Sequence, residues 1–301
     1  MTQSSKSNAL AVLAFIVWGI IPLYYQLLPD ADTGELLALR IIITIPLMGL
    51  VMRLFNCPLL SLAKIWADKK SLLMCLLASC VMSISWYAFI WALTNGQVMA
   101  ASLGFFINPL FVILLGVLFL HEKLTPGQKV AVLFGIAGLS FQVWHYGELP
   151  WLALVMGGFF ALFGLCKKWI KYDPMTAVTV EAMWLVPFAV AFMGWKYSLG
   201  TSDALNNMTT FMLYAGSAPV TLLPLLLFSI AVRYTSLTMI GIFQYIEPTL
   251  QFLLAVLLFD EVFDEVKGVS FALIWCGLIV CSVEALWRHR KKQKTLIHSH
   301  Q

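Results

Sequence analysis

Charge is scarce in this chain. Only 11% of its 301 residues are Asp, Glu, Lys or Arg, against about 25% in an average soluble domain. A surface that meets water on every side cannot be built from so few charges, so a soluble globular domain is excluded. Catalytic groups are equally thin. The five histidines, His121, His145, His289, His298 and His300, all fall in expected loops or the tail, and none sits in an apolar segment to activate a serine such as Ser217. There is no HExxH pair and no glycine-rich phosphate loop, which excludes ATP-driven pumping by this chain. The six cysteines, at 57, 75, 80, 166, 276 and 281, form no CxxC pair. They read as small apolar side chains, not as a disulfide or metal framework. No cofactor and no metal are expected, and the chain is not read as an enzyme.

What is present is apolar sequence, 61% of the chain. A helix crosses a bilayer with about 20 apolar residues, and ten such runs can be drawn: 8–28, 34–54, 71–94, 98–120, 127–144, 150–170, 175–195, 209–232, 237–259 and 268–287. The expected fold is an all-α polytopic membrane protein of ten transmembrane helices, with long loops only at 55–70 and 196–208. Lys6 followed by the run Ala9–Leu28 resembles a signal peptide, but no small-residue cleavage site follows, so it reads as a retained first helix. Lys and Arg set orientation. Arg40 lies within a run. Of the other cations, only Lys196 and Lys267 fall on one side; all the rest, Lys167, Lys168 and Lys171 among them, collect on the side of the termini. Both termini are therefore expected in the cytoplasm, with the tail 288–301 (Arg288-His289-Arg290-Lys291-Lys292 at its start) as an anchor on anionic lipid headgroups. So short a basic run does not point to nucleic acid.

A weak internal repeat organises the runs. Aligning 92–139 with 231–278 without gaps matches Pro109 with Pro248, Glu122 with Glu261, Val130 with Val269 and Gly138 with Gly277. Two five-helix halves, 8–144 and 150–287, are expected. Five is odd, so the halves insert with opposite topology and form an inverted repeat. Asn108-Pro109 and Glu247-Pro248 interrupt matching apolar runs. Proline removes a backbone donor and clashes with the preceding turn, so both places are expected to be helix breaks lining a cavity.

Phe15-Ile16-Val17-Trp18-Gly19-Ile20-Ile21-Pro22 resembles the opening signature of the EamA branch of the drug/metabolite transporter superfamily. Phe89-Ile90-Trp91-Ala92, Ala101-Ser102-Leu103-Gly104-Phe105-Phe106-Ile107-Asn108-Pro109-Leu110, and Phe243-Gln244-Tyr245-Ile246 followed by Pro248-Thr249 resemble its RarD subgroup, the chloramphenicol-sensitive proteins, and the likeness runs from about residue 10 to 287. The resemblance implies ten helices in two inverted repeats, a bacterial inner-membrane location, and export or facilitated passage of small metabolites, amino acids for some members. Two departures stand out. Where the subgroup carries an acidic residue this chain has Ala101, and where it carries a small residue this chain has Glu247. A family carboxylate at 101 does not carry over.

Ionised groups inside a membrane cost about 2.5–3.5 kcal/mol on insertion scales, so those present are site candidates. Arg40 offers a fixed positive charge for a substrate carboxylate; equally it could pair with Glu35, Glu181 or Glu247, or reach the interface. Glu247 offers a protonatable carboxylate for proton coupling, or a neutral acid that satisfies the broken backbone. Asn108 is its repeat partner and can donate and accept, or cap the proline break. Glu181 reads more readily as paired or interfacial. Trp91, Phe106 and Tyr245 flank the paired interruptions and are expected as cavity walls, with packing as the plainer role. Pro109, Pro248, Pro219 and Pro224 are expected breaks or hinges, and Gly157-Gly158 a bending point. The expected function is a secondary carrier of a small organic metabolite, amino-acid-like compound or drug, working by alternating access within the lipid bilayer and open to proton coupling. The alternatives are a channel, a non-transporting scaffold or, further off, a membrane enzyme. Substrate, direction and oligomeric state are not legible.

Overall fold

The computed structural model describes residues 3–298 apart from 26, 29, 30, 57–61, 95–97, 148–150 and 259–264. Among the described residues there is no strand. The helices of the first half are α1 (Gln3–Ile20), α2 (Pro22–Tyr25), α3 (Thr33–Leu54), α4 (Leu62–Ala67), α5 (Lys69–Thr94), α6 (Val98–Leu120) and α7 (Pro126–Tyr146). Those of the second are α8 (Trp151–Trp169), α9 (Pro174–Ser198), α10 (Asp203–Asn206), α11 (Met208–Tyr234), α12 (Leu237–Gln244), α13 (Ile246–Leu258) and α14 (Glu265–His298). Each expected apolar run carries helix. Seven helices among the described residues are long and apolar enough to cross a membrane by themselves, and Ile107–Leu120 is a shorter apolar one. The chain is a polytopic membrane protein. The two expected long loops hold the short helices α4 and α10, and α14 continues without interruption into the basic tail.

Only the second of the two expected proline breaks is present. α12 ends at Gln244 and α13 begins at Ile246, so the backbone turns at Tyr245, three residues before Pro248. α6 runs through Pro109, and α11 through Pro219 and Pro224, without interruption. A proline inside a helix costs one hydrogen bond and strains one turn, and tertiary packing against neighbours holds the helix through that loss. Local unwinding at these positions is therefore absent.

Packing follows a rule of exchange between the halves. Each of α1, α3, α5, α6 and α7 corresponds to α8, α9, α11, α12–α13 and α14. α6 packs on α8 as α12 and α13 pack on α1, α5 on α8 as α11 on α1, and α5 on α9 as α11 on α3. α3 packs on α9, α6 on α12 and α7 on α14, each helix on its own counterpart. Small residues permit this at close range. A Cβ on Gly138 would stand 3.1 Å from the Ser270 carbonyl oxygen, and one on Gly277 2.9 Å from the Ala131 Cα. Both pairs are related by the same shift of sequence number. Likewise Gly157 lets α8 reach the Asn108 backbone and Gly19 lets α1 reach the Glu247 carbonyl. Gly157 is thus a contact residue. Gly158, with nothing within 4 Å of its added Cβ, is not.

Polar ties close both ends of the bundle. At one end Lys196 lies 2.8 Å from Asp32 and 3.6 Å from Glu35, and Glu35 accepts the Ala204 N–H of α10 at 2.9 Å. Tyr214 accepts the Asp32 N–H, and Tyr24 donates to the Leu213 carbonyl. At the other end Glu122 accepts the Leu237 and Thr238 N–H groups, both at 2.7 Å, and so caps α12. Lys168 donates to the Thr235 carbonyl, and Arg233 to the Tyr172 carbonyl. Burial pushes the Asp32 carboxyl up, but the Lys196 ammonium and the Glu35 and Gly34 N–H groups outweigh it, and the group ends below the usual carboxylate value.

Two outcomes follow. Gly277→Val, which forces α7 and α14 apart, should lower thermal stability in detergent by about 1–3 kcal/mol, whereas Gly158→Ala should cost nothing; equal losses would contradict the seam. Because the folded Asp32 carboxyl titrates below its unfolded value, its contribution is complete above pH ~4 and is lost as the pH falls through the folded value. The melting-temperature gap between wild type and Asp32→Asn should therefore close in acid, and a gap constant from pH 7 to pH 3 would contradict the assignment.

Candidate functional site

A cavity of about 360 Å³ lies between α1, α3, α5, α8, α9 and α11, within the size of small-molecule pockets. Its lining obeys the same exchange as the packing. α3 contributes Leu37, Arg40, Ile41 and Thr44, and α9 contributes Val178, Glu181, Ala182 and Leu185 at the equivalent four positions. Met82, Ser83 and Trp86 of α5 face the cavity opposite their equivalents Thr221, Leu222 and Leu225 of α11. The cavity therefore sits where the two halves meet, around the α3–α9 contact.

Arg40 is held by stacking. Its guanidinium carbon lies 4.3 Å from the centre of the Trp86 ring, a cation–π contact favoured by the planar group, and the Tyr25 hydroxyl interacts with it. No carboxylate among the described residues pairs with it within 4 Å, and Nη1 is buried without a hydrogen-bond partner. Glu35, the nearest acid in sequence, is spent on Lys196 and α10 instead.

Glu181 is the second charge on the cavity, and it is paired, as its sequence suggests. Its Oε2 lies 2.6 Å from Lys167 Nζ, with side-chain exposures of 8% and 2% for the two partners, so the pair is out of water. Oε1 is buried with no partner. Lys167 also lies 5.1 Å from the centre of the Phe163 ring. Lys167, counted in the sequence with the cations on the side of the termini, has its side chain inside the bundle, and breaking such a pair costs about 3–5 kcal/mol. The signal was an acid in the middle of an apolar run, the same signal that singled out Arg40. Lys167 carried none, because a lysine three residues before a turn looks interfacial.

The serine and threonine hydroxyls on the cavity are already committed as donors. Thr44 donates to the Arg40 carbonyl, Ser83 to the Ser79 carbonyl and Thr221 to the Ser217 carbonyl, at 2.7–2.8 Å. Ser79 donates to the Cys75 and Glu181 carbonyls. What they offer a guest is lone pairs. Trp18, Trp86, Tyr87 and Phe163 supply aromatic wall. Among the described residues no group of His, Cys, Asp and Glu is placed to hold a metal.

The other expected site residues do not line this cavity. Asn108 is buried against Gly157, its Oδ1 unpartnered. Tyr245 is buried beside Phe271 and Ile274 with its hydroxyl 2.6 Å from where a Gly135 Cβ would stand, so it packs against α7 and α14. Glu247 is partly buried, and its Oε1 accepts from Gln251 at 3.4 Å. The side chains of Trp91 and Phe106 lie outside the described residues. Arg40 lines the cavity without Asn108, Tyr245 or Glu247, which belong to α6 and to the α12–α13 segment outside its wall.

Residues 5–144 match the EamA-like transporter family. The chain is 36% identical to the protein RarD of Salmonella typhimurium over 96% of its own length and 99% of that protein. It is 35% identical to the protein RarD of Escherichia coli over 97% and 99%, and 33% identical to the uncharacterized transporter YojE of Bacillus subtilis over 96% and 98%. A solved crystal structure superposes with a TM-score of 0.71 at 16% identity, over 93% of this chain and 98% of its own, and shares the fold. The chain belongs to the EamA family of membrane transporters, and within it to the RarD subgroup.

Proposed function

We propose that this transporter is a secondary carrier for a small organic solute bearing a carboxylate, of amino-acid or drug size, and that the α3–α9 cavity is its binding site. One observation carries the reading. A guanidinium that remains ionised at any relevant pH lines a cavity walled by aromatic rings, half-buried and with Nη1 lacking a hydrogen-bond partner. Trp86 and Tyr25 offset its charge only in part, and leaving a buried polar group unsatisfied is costly, which favours an anion that arrives with the guest. The halves 8–144 and 150–287 are proposed to rock against each other about this cavity, exposing it to one side of the inner membrane and then the other, with both termini cytoplasmic. That scheme agrees with the exchange of packing partners between the halves and with the side on which the loop cations gather.

Flux into proteoliposomes tests it. Wild-type protein should carry amphipathic carboxylates saturably, and Arg40→Met should lower kcat/KM at least ~10-fold, the worth of a lost charged hydrogen bond. Trp86→Leu should raise KM less steeply. Undiminished, saturable flux in correctly folded Arg40→Met would remove the assignment. Non-saturating flux would make the protein a channel. Glu247 is proposed as the group for any proton coupling: flux that differs between pH 5.5 and pH 8 should lose that difference in Glu247→Gln.

A further inference from the structure

The cavity reaches one side of the bundle. Leu73, Leu77, Cys80, Ile84 and Tyr87 of α5 are all exposed. They recur every three or four residues, so they form one lengthwise stripe of that helix. The stripe falls within Lys69–Ala88, a span long and apolar enough to cross a membrane, and it is the face that α5 turns to lipid. Tyr87 stands on the stripe, 69% exposed, and it also lines the cavity. The cavity therefore continues to the lipid face at Tyr87.

Helix α3 forms the other edge of the opening. It packs on α9 and α11, and α5 packs on α8 and α9, but α3 and α5 barely touch. Their counterparts in the second half, α9 and α11, do pack on each other, so the gap belongs to one half alone. Arg40 and Ile41 line the cavity from α3, and Ser83, Trp86 and Tyr87 from α5. The Arg40 guanidinium spans the gap and stacks on the Trp86 ring at 4.3 Å. Arg40 lies two turns into α3 and Tyr87 two turns before the end of α5, each about 10 Å inside its helix end. The opening is thus within the apolar span and not at its rim. The ends of the bundle, by contrast, are tied by Lys196 with Asp32 and Glu35, and by the Glu122 cap on α12.

A guest that arrives through such an opening must dissolve in lipid, and the first polar group it meets is a cation lying on an aromatic ring. A hydrocarbon chain meets the first condition and a carboxylate the second. A cation–π contact is generally weaker than the charged hydrogen bond a carboxylate offers, so an arriving carboxylate can draw Arg40 off Trp86, and the stack can re-form when the site empties.

We propose that the α3–α5 gap is a side entrance from the bilayer to the cavity, gated by the Arg40–Trp86 stack. Its occupant is a medium- or long-chain carboxylate dissolved in the membrane, with its head on Arg40 and its tail in the gap beside Tyr87. The inference rests on the carrier reading above and adds to it the kind of carboxylate and the route by which it enters.

Photolabelling tests it. A twelve-carbon fatty acid with a diazirine at mid-chain is added to proteoliposomes of the full-length protein and irradiated, and peptide mass spectrometry maps where the tail has inserted. Labelling at the edges of the gap, Ile41, Ser83 and Tyr87, should saturate and fall at least ~10-fold with excess dodecanoate. Dodecanol, which matches the tail but lacks the charge, should displace little of it. Leu73 and Leu77, on the same lipid face but away from the gap, are the internal control, and their labelling should yield to neither competitor. Arg40→Met should abolish the dodecanoate effect at the gap and leave Leu73 and Leu77 as in wild type. If the gap labels no differently from Leu73 and Leu77, or if dodecanol competes as well as dodecanoate, the side entrance is overturned; saturable flux of amphipathic carboxylates would then leave the carrier reading standing. If that flux is absent as well, the carrier reading falls with it. The wild-type map needs no variant, so a misfolded Arg40→Met does not shield the inference.

Discussion

Removing charge from water is the constraint on which this structure depends. In a low-dielectric interior each ionised group needs a partner of fixed geometry, and most of the charges described near the bundle have one. Glu122 caps α12 and Glu35 caps α10 while holding Lys196. Lys168 and Arg233 donate hydrogen bonds to the backbone carbonyls of Thr235 and Tyr172. Lys167 is neutralised by Glu181. Set against these, Arg40 and Glu181 both line one cavity, and each keeps one buried polar atom without a hydrogen-bond partner, Nη1 and Oε1. The fold spends most of its charged groups on closing its ends and tying helices together.

The second constraint is steric. Helices that exchange partners across an axis must approach at matching points, and there the chain uses glycine: Gly138 at Ser270 and Gly277 at Ala131, Gly157 at Asn108 and Gly19 at Glu247. The last two explain why Asn108 and Glu247 were conspicuous in sequence without lining the cavity. Their backbones are fixed by a close crossing of α6 with α8 and of α13 with α1. The aromatic cluster of Phe15, Trp18, Phe163 and Phe228 then fills the space between α1, α8 and α11, so Trp18 and Phe163 serve the core and the cavity at once.

The fold was largely legible because its signal is long and redundant. Runs of some 20 apolar residues admit few alternatives to helix, and the shift that aligns Gly138 with Gly277 in sequence is the shift at which those residues meet their neighbours in space. The site was legible only in part. Arg40 was found by the cost of its charge. Glu181 carries the same signal but was ranked lower, since position along a helix does not say which face it occupies. The burial of Lys167 against Glu181 was not legible, because its flanking lysines and the nearby turn look like a membrane surface. The break at Pro109 was expected from proline chemistry alone, and packing of α6 against α8 and α12 held the helix through it. In each miss a local rule was right about the residue and blind to its neighbours.

The conspicuous proline pair does not line the cavity between α3 and α9. Pro46 and Pro187 each follow a charge by six residues, but the residues between differ, so this link is faint in the sequence. In three dimensions they mark equivalent turns of α3 and α9, the two helices that face each other across the exchange axis. Arg40 and Glu181, at equivalent positions of those two helices, therefore meet the same cavity from opposite halves, which the spacing of Asn108 and Glu247 along the chain gave no means to see.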